Sequence, residues 1–134
     1  MRKALFILTV LLGAALAQGQ VTITYWQYDF KSKVEAVNEL IKKFEAANPG
    51  IKVLHQTFPF DAYQQKVASS IPAGQGPDVV NLFYGWLPTW VKAGYLQPLP
   101  AEYTRVLDNE FSSLAQAAKV GGRLYGMPTA VRSL

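Results

Sequence analysis

Between Val21 and Phe83 the chain alternates strand-type and helix-type segments, and this alternation restricts it to a small set of architectures. Val21–Gln27 is β-branched and aromatic throughout, which predicts a buried strand. Ser32 and Glu35 have the spacing of a capping box, with Ser32 as N-cap and Glu35 at N3. Val34, Val37, Leu40, Ile41 and Phe44 then recur at helical spacing, with Glu35 and Glu39 early and Lys42 and Lys43 late, as the helix dipole favours. Asn48–Gly50 stops that helix. Ile51–Phe58 reads as a second strand with Ile51, Val53, His55 and Thr57 on one face. Asp61 is placed to cap a second helix, Gln64 at its N3 position and Tyr63, Val67 and Ile71 along its apolar stripe. Residues 72–77 form a loop, and Asp78–Phe83 is a third strand, apolar enough for the middle of a sheet. Short helices are expected at Leu87–Ala93, Ala101–Leu107 and Phe111–Ala118. A hairpin is expected around Gly121 and Gly122, between Lys119–Val120 and Arg123–Tyr125.

Strand, helix, strand, helix, strand implies parallel crossovers, hence a doubly wound α/β unit with a mainly parallel sheet. In such sheets ligands bind beyond the carboxyl ends of the strands, and a 2-1-3 order makes the ends of the first and third strands neighbours at the switch point. Nine aromatic residues fall at those ends: Trp26, Tyr28, Phe30, Phe58, Phe60, Tyr63, Phe83, Tyr84 and Trp86. They are accompanied by Gln27, Asp29, Asp61 and Asn81. Flat apolar faces beside hydrogen-bonding side chains suit a ligand with apolar C–H faces and a hydroxyl rim, such as a sugar. Side chains alternate across a strand and both faces of this sheet should be covered, so about half of these rings belong to the core. Phe58, Phe60, Tyr63 and Phe83 are expected there. Trp86 lies past its strand and is less constrained to pack inside than Phe83. It therefore ranks above Trp26 as a stacking platform, with Tyr84, Tyr28, Asp29 and Gln27 as hydroxyl partners.

The amino terminus has a different character. Met1–Lys3 is basic, Ala4–Ala17 is fourteen apolar residues, and Ala15–Ala17 offers a small-residue cleavage site before Gln18. This pattern predicts a cleaved signal peptide over residues 1–17, since fourteen residues fall short of the roughly 20 that span a bilayer. The remaining domain would be residues 18–134, exported to the periplasm or beyond. Without Arg2 and Lys3 the balance is eleven basic to nine acidic residues, which is not that of a nucleic-acid binder. The absence of cysteine excludes disulfide frameworks, thiol nucleophiles and lipid anchoring through cysteine. With a single histidine as well, no metal or cofactor site is expected.

No catalytic set emerges. The glycines at 74 and 76 precede a strand, whereas a phosphate loop follows a strand and opens a helix. His55 lies mid-strand with no second histidine and reads as an edge or surface residue. Asp29 and Asp61 could be imagined as a glycosidase pair, but Asp61 has a capping role. Ser69 and Ser70 lie in a helix without an elbow motif.

Four stretches taken in order resemble a known family: Tyr25–Trp26 leading into the helix 34–48 and Asn48–Val53; Ala73–Val79; Leu87–Leu99 with Ala93–Leu96; and Gly122–Pro128. The chain from Val21 onward is similar to extracellular solute-binding proteins of family 1, the maltose-binding-protein-like sugar-binding components of ABC importers. The resemblance implies a two-lobed periplasmic-binding-protein-like fold, of which this chain is part of the N-terminal lobe, the second lobe being absent. It implies a non-enzymatic protein that captures a small solute, a mono- or oligosaccharide, and delivers it to an ABC permease of the inner membrane. By position it implies ligand contacts at Gln27, Tyr28 and Asp29, at Tyr84 and Trp86, and near Pro128 and Thr129. The alternatives are an inactive fragment, or a non-catalytic part of a secreted carbohydrate-active enzyme.

Overall fold

The computed structural model describes residues 19–111 and 113–130, so the leader expected at residues 1–17 lies outside the described residues. The first strand, β1, is Val21–Tyr28 and the second, β2, is Ile51–Phe58. They pair in parallel along their whole length, from Val21 opposite Ile51 to Tyr28 opposite Phe58. A third strand, β3, is only Val79–Val80 and pairs with Tyr25 and Trp26. The order is β2-β1-β3, the expected switch-point order, with β1 in the middle. The expectation that Asp78–Phe83 forms a central strand fails on both counts. The ladder ends after Val80, and among the described residues β3 lies at the sheet edge.

What holds β3 in place is a clasp across 54 residues of sequence. The Thr24 backbone N–H and hydroxyl both donate to Asp78 Oδ2, each at 2.7 Å, and the Asp78 N–H donates back to Thr24 Oγ1 at 2.9 Å. The Asn81 N–H to Trp26 carbonyl bond (2.8 Å) extends the contact one residue past the strand.

The connecting helices are α1 (Lys31–Ala47) and α2 (Phe60–Ser70). Neither cap is the one expected. Phe30 is the N-cap of α1, in extended conformation, and its carbonyl already accepts the N–H groups of Lys33 and Val34, so the helix begins ahead of Ser32. As a result no acidic residue lies in the first turn of α1 and no basic residue in its last. Pro59 caps α2 in the same way, and Asp61 sits inside its first turn as a dipole partner without a cap bond.

Alternation along β1 sends its residues to two unequal sides. On one side Trp26 packs with Tyr63 and Val67 of α2 and with Trp90 of α3 (Leu87–Lys92), and these four form the main core. Tyr63 and Val67 are wholly enclosed, as their helical spacing predicts. Gly94 ends α3 with φ of 75°, a left-handed backbone that glycine adopts without strain. On the other side Ile23, Tyr25 and Val53 meet Val37, Leu40, Ile41 and Phe44 of α1 around an open apolar groove of about 270 Å³. No α1 residue is fully buried. The expectation of a sheet closed on both faces therefore holds for the α2 side only: three strands, one of two residues, are too narrow to cover a seventeen-residue helix. The contact at its far end is tied down by Glu45, which accepts the Val53 N–H (2.8 Å) and Lys52 Nζ (2.9 Å).

The last described segments are α4 (Ala101–Glu110), a 3-10 helix at Ser113–Ala118 where a fuller helix was expected, and the hairpin β4 (Lys119–Val120) and β5 (Arg123–Leu124). The hairpin turns at Gly121 and Gly122, both at positive φ, as read from the sequence. Leu107, Ala115 and Leu124 form a second small core. The Leu99 N–H to Leu124 carbonyl bond (2.7 Å) carries the chain back, so that Thr129 reaches the sheet edge beside Asn81.

Candidate functional site

Each strand of the parallel sheet delivers its carboxyl end to one edge, and the loops leaving that edge carry the rings. Tyr28 closes β1, Phe60 opens α2, and Phe83, Tyr84 and Trp86 follow β3. Their rings meet in one cluster. Tyr28 meets Phe60 edge-on at 5.2 Å and Trp86 at 6.3 Å. Trp86 lies 5.4 Å from Phe60, 5.9 Å from Phe83 and 6.3 Å from Tyr63, and stacks on Trp90 at 5.7 Å with 23° between planes. Tyr84 touches Phe83 at 4.6 Å and is 68% exposed.

The partition of these rings differs from the sequence reading. Tyr63 and Phe58 pack inside as expected, but Phe60 and Phe83 are exposed. Trp26, ranked as a platform, lies in the main core: its indole N–H donates to Gln56 Oε1 at 2.6 Å and its face is turned to the α2 side, with Lys66 Nζ 5.4 Å from the ring centre. Trp86 is half-buried and Phe83 is the more open of the two, the reverse of the expected ranking. The reason is local. Trp86 is the last residue of a 3-10 turn that leads directly into α3, and that turn lays its ring on Trp90.

The polar residues separate similarly. Asp29 and Thr129 are exposed at the edge, whereas Gln27 is completely enclosed on the α1 side of the sheet. Gln27 Oε1 accepts the Tyr25 hydroxyl at 3.3 Å, and its Nε2 has no hydrogen-bond partner among the described residues. Burial, followed by the neighbouring Tyr28, pushes the Tyr25 hydroxyl up to about 12, partly offset by a hydrogen bond with Asn81. Burial likewise raises the Tyr63 phenol, whose O–H donates to the Trp26 carbonyl at 2.8 Å. Both phenols are therefore neutral donors over the physiological range.

Two further residues stand at this edge, and one of them, Lys33, escaped the sequence reading. Lys33 Nζ donates to Asn81 Oδ1 at 3.1 Å and stands 5.3 Å from the centre of the Tyr28 ring. Asn81 is nearly enclosed, and its Nδ2 lies 3.5 Å from Thr129 Oγ1. Asn81 was read among the hydrogen-bonding side chains at the strand ends, beside Gln27, Asp29 and Asp61. Lys33 falls inside the capping-box pattern and carries no signal of its own.

His55 lies on β2, an edge strand among the described residues, which agrees with its reading as an edge or surface residue. It is half-buried beneath α1, tilted against Tyr25 at 5.1 Å. Its Nδ1–H donates to the Asn38 side-chain oxygen at 2.7 Å, and its Nε2 has no partner among the described residues. Burial lowers its pKa. Among the described residues no group of three or more His, Asp or Glu is placed to hold a metal ion, and no helix is long and apolar enough to cross a membrane.

A parallel α/β unit with an aromatic and hydrogen-bonding cluster at the carboxyl edge of a β2-β1-β3 sheet is the architecture of a solute-binding lobe. Comparison with known proteins names the group: the chain belongs to the bacterial extracellular solute-binding protein family, which matches over residues 29–134. A maltotriose-binding protein of Pyrococcus abyssi is 28% identical over 122 residues, covering 90% of this chain and 26% of its own length. Among solved structures, an ABC substrate-binding protein of Listeria monocytogenes in complex with cycloalternan is 34% identical, with a TM-score of 0.67 over 81% of this chain and 28% of the other. The sugar-binding protein MalE of Xanthomonas citri is 30% identical, with a TM-score of 0.72 over 81% of this chain and 28% of the other. The chain thus spans between 26% and 29% of the length of the curated relatives it matches.

Proposed function

We propose that this chain forms one wall of the cleft of an exported sugar-capture protein, which passes its solute to an ABC permease of the inner membrane and performs no chemistry on it. The observation that carries this reading is the ring cluster of Tyr28, Phe60, Trp86, Phe83 and Tyr84 at the carboxyl edge, rimmed by Asp29, Asn81 and Thr129. The exposed faces of Phe60, Phe83 and Tyr84 are the stacking surfaces, and Tyr28, Asp29 and Thr129 the hydroxyl partners. Trp86 supports these from behind with one edge at the cleft; Trp26 and Gln27 support it from below. Relatives named as binding maltotriose or complexed with cycloalternan and lacto-N-biose favour a sugar as the solute. The leader, cleaved after Ala17, provides export, and N-terminal sequencing of secreted material tests that step; a retained Met1 refutes it.

A two-walled cleft buries its solute from both sides, and closure supplies part of the affinity. One wall alone binds weakly. Calorimetry of this chain against mono- and disaccharides should show no tight binding, with millimolar contacts visible only by NMR titration. A sub-micromolar constant for the 134-residue chain would refute the one-wall reading.

A further inference from the structure

Asn81 stands just past the end of β3, and its contacts fix the direction of each of its polar atoms. An ammonium group donates and never accepts, so the contact of Lys33 Nζ with Asn81 Oδ1 at 3.1 Å assigns the amide oxygen to that side. The amide nitrogen therefore faces the other way, towards Thr129 Oγ1 at 3.5 Å. The Asn81 backbone N–H donates to the Trp26 carbonyl at 2.8 Å, the same oxygen that accepts the Tyr63 hydroxyl. Asn81 is only 7% exposed, so an amide there without these partners would be costly.

The Tyr25 phenol fixes the same direction. Its O–H donates to Gln27 Oε1 at 3.3 Å, so its oxygen is left to accept. The Asn81 side chain bonds this phenol and lowers its pKa, as a donor to the phenol oxygen does. The amide nitrogen is the one side-chain donor of an asparagine, and it carries two protons, enough for Tyr25 and Thr129. The consequence falls on Thr129. An amide nitrogen does not accept, so Thr129 Oγ1 receives a proton from Asn81 and cannot give its own in return. Thr129 is exposed at the edge, and its hydroxyl proton is therefore presented on the open side.

We propose that Asn81 is the positioning residue of this wall: it holds Thr129 Oγ1 as an acceptor, so that the Thr129 hydroxyl donates to an acceptor oxygen of the solute, such as a sugar ring or hydroxyl oxygen. Asn81 itself is nearly enclosed and acts through Thr129. The inference rests on the proposed cleft wall, and it adds the polarity of one of its contacts. A carboxylate at position 81 has the same shape and still serves Lys33, yet it has no donor. It would take the Thr129 proton for itself and turn that contact away from the solute.

The test is NMR on the isotopically labelled 134-residue chain, free and titrated with maltotriose. In the free chain Thr129→Val should shift the Asn81 side-chain amide protons, and Thr129→Ser should leave them near their parent positions. Unmoved amide protons in Thr129→Val overturn the link between Asn81 and Thr129, whatever the sugar does. With maltotriose, Asn81→Asp and Thr129→Val should each weaken binding about three- to tenfold, the scale of one hydrogen bond. Thr129→Ser should bind like the parent. The double variant should bind no worse than either single one, because both remove the same contact. Additive losses would mean that Asn81 does not act through Thr129, and they overturn the inference while leaving the wall intact. If Asn81→Asp fails to fold, the Thr129 variants decide: equal binding by Thr129→Val and Thr129→Ser overturns the inference. Absence of maltotriose shifts in the parent at millimolar concentration overturns the wall, and the inference with it.

Discussion

Trp86 and Tyr84 are two residues apart, yet the structure predicts opposite consequences for losing them. Trp86 is half-buried, stacked on Trp90 at 5.7 Å, and in ring contact with Phe60, Phe83, Tyr28 and Tyr63. Truncating a fully buried Trp costs about 3–5 kcal/mol, so a half-buried one in this setting should cost roughly 2 kcal/mol or more, cavity included. For a domain of this size each kcal/mol moves Tm by roughly 4–8 °C, so Trp86→Ala should melt on the order of 10 °C lower. Tyr84 is 68% exposed and touches one ring, Phe83. Its truncation belongs with surface substitutions, within about 0.5 kcal/mol of neutral.

Differential scanning calorimetry on the two variants decides the matter. Trp86→Ala should unfold early, and Tyr84→Ala should melt with the parent while its sugar-induced NMR shifts weaken. If Trp86→Ala melts within about 3 °C of the parent, less than the shift expected for 1 kcal/mol, then its ring is not part of the support and the division of the cluster into wall and backing is wrong.

Three further outcomes follow from named contacts. His55 has its pKa lowered by burial, so the folded chain resists protonating it; stability is fully present above the unfolded value near 6.5 and falls as pH drops through that value towards the folded pKa. Urea midpoints between pH 8 and 5 should show this loss, and His55→Gln should flatten it; an unchanged slope removes His55 as the cause. Asp78→Ala breaks the clasp on Thr24 and should speed amide exchange at residues 79–81 and lower Tm, whereas protected amides there would show that β3 holds without the clasp. A Cβ at Gly76 would lie 2.6 Å from Ile71 Cγ1 and 3.2 Å from its Cα, so Gly76→Ala should destabilise by about 1–3 kcal/mol in denaturant titrations, and a neutral result would mean that the 72–77 loop relaxes freely.

The sequence was legible where a local pattern decides the structure, and illegible where a distant partner does. The strands Val21–Tyr28 and Ile51–Phe58 follow from β-branched runs and from the Asn48–Gly50 stop, and their parallel order from the intervening helix. Alternation along β1 indicated that half of the edge rings are core, but not which half. That depended on α2 and α3 closing over Trp26 while the α1 side stayed open. The Thr24–Asp78 clasp spans 54 residues and has no local signature.

The start of α1 shows how a pattern of residue types can misplace a helix start. With Ser32 as N-cap, Lys31 falls outside the helix and Lys33 reads as part of its polar surface. With Phe30 as N-cap, both lysines enter the first turn, against the dipole. The capping-box pattern is satisfied by residue type alone, whereas the actual start depends on the Phe30 carbonyl meeting the N–H groups of Lys33 and Val34. Two residues of helix register thus separate a helix with an acidic-to-basic run along its dipole from one that opens on two lysines at the carboxyl edge of the sheet. That edge is also where the rings of Tyr28, Phe60 and Trp86 converge, with Lys33 Nζ 5.3 Å from the centre of the Tyr28 ring.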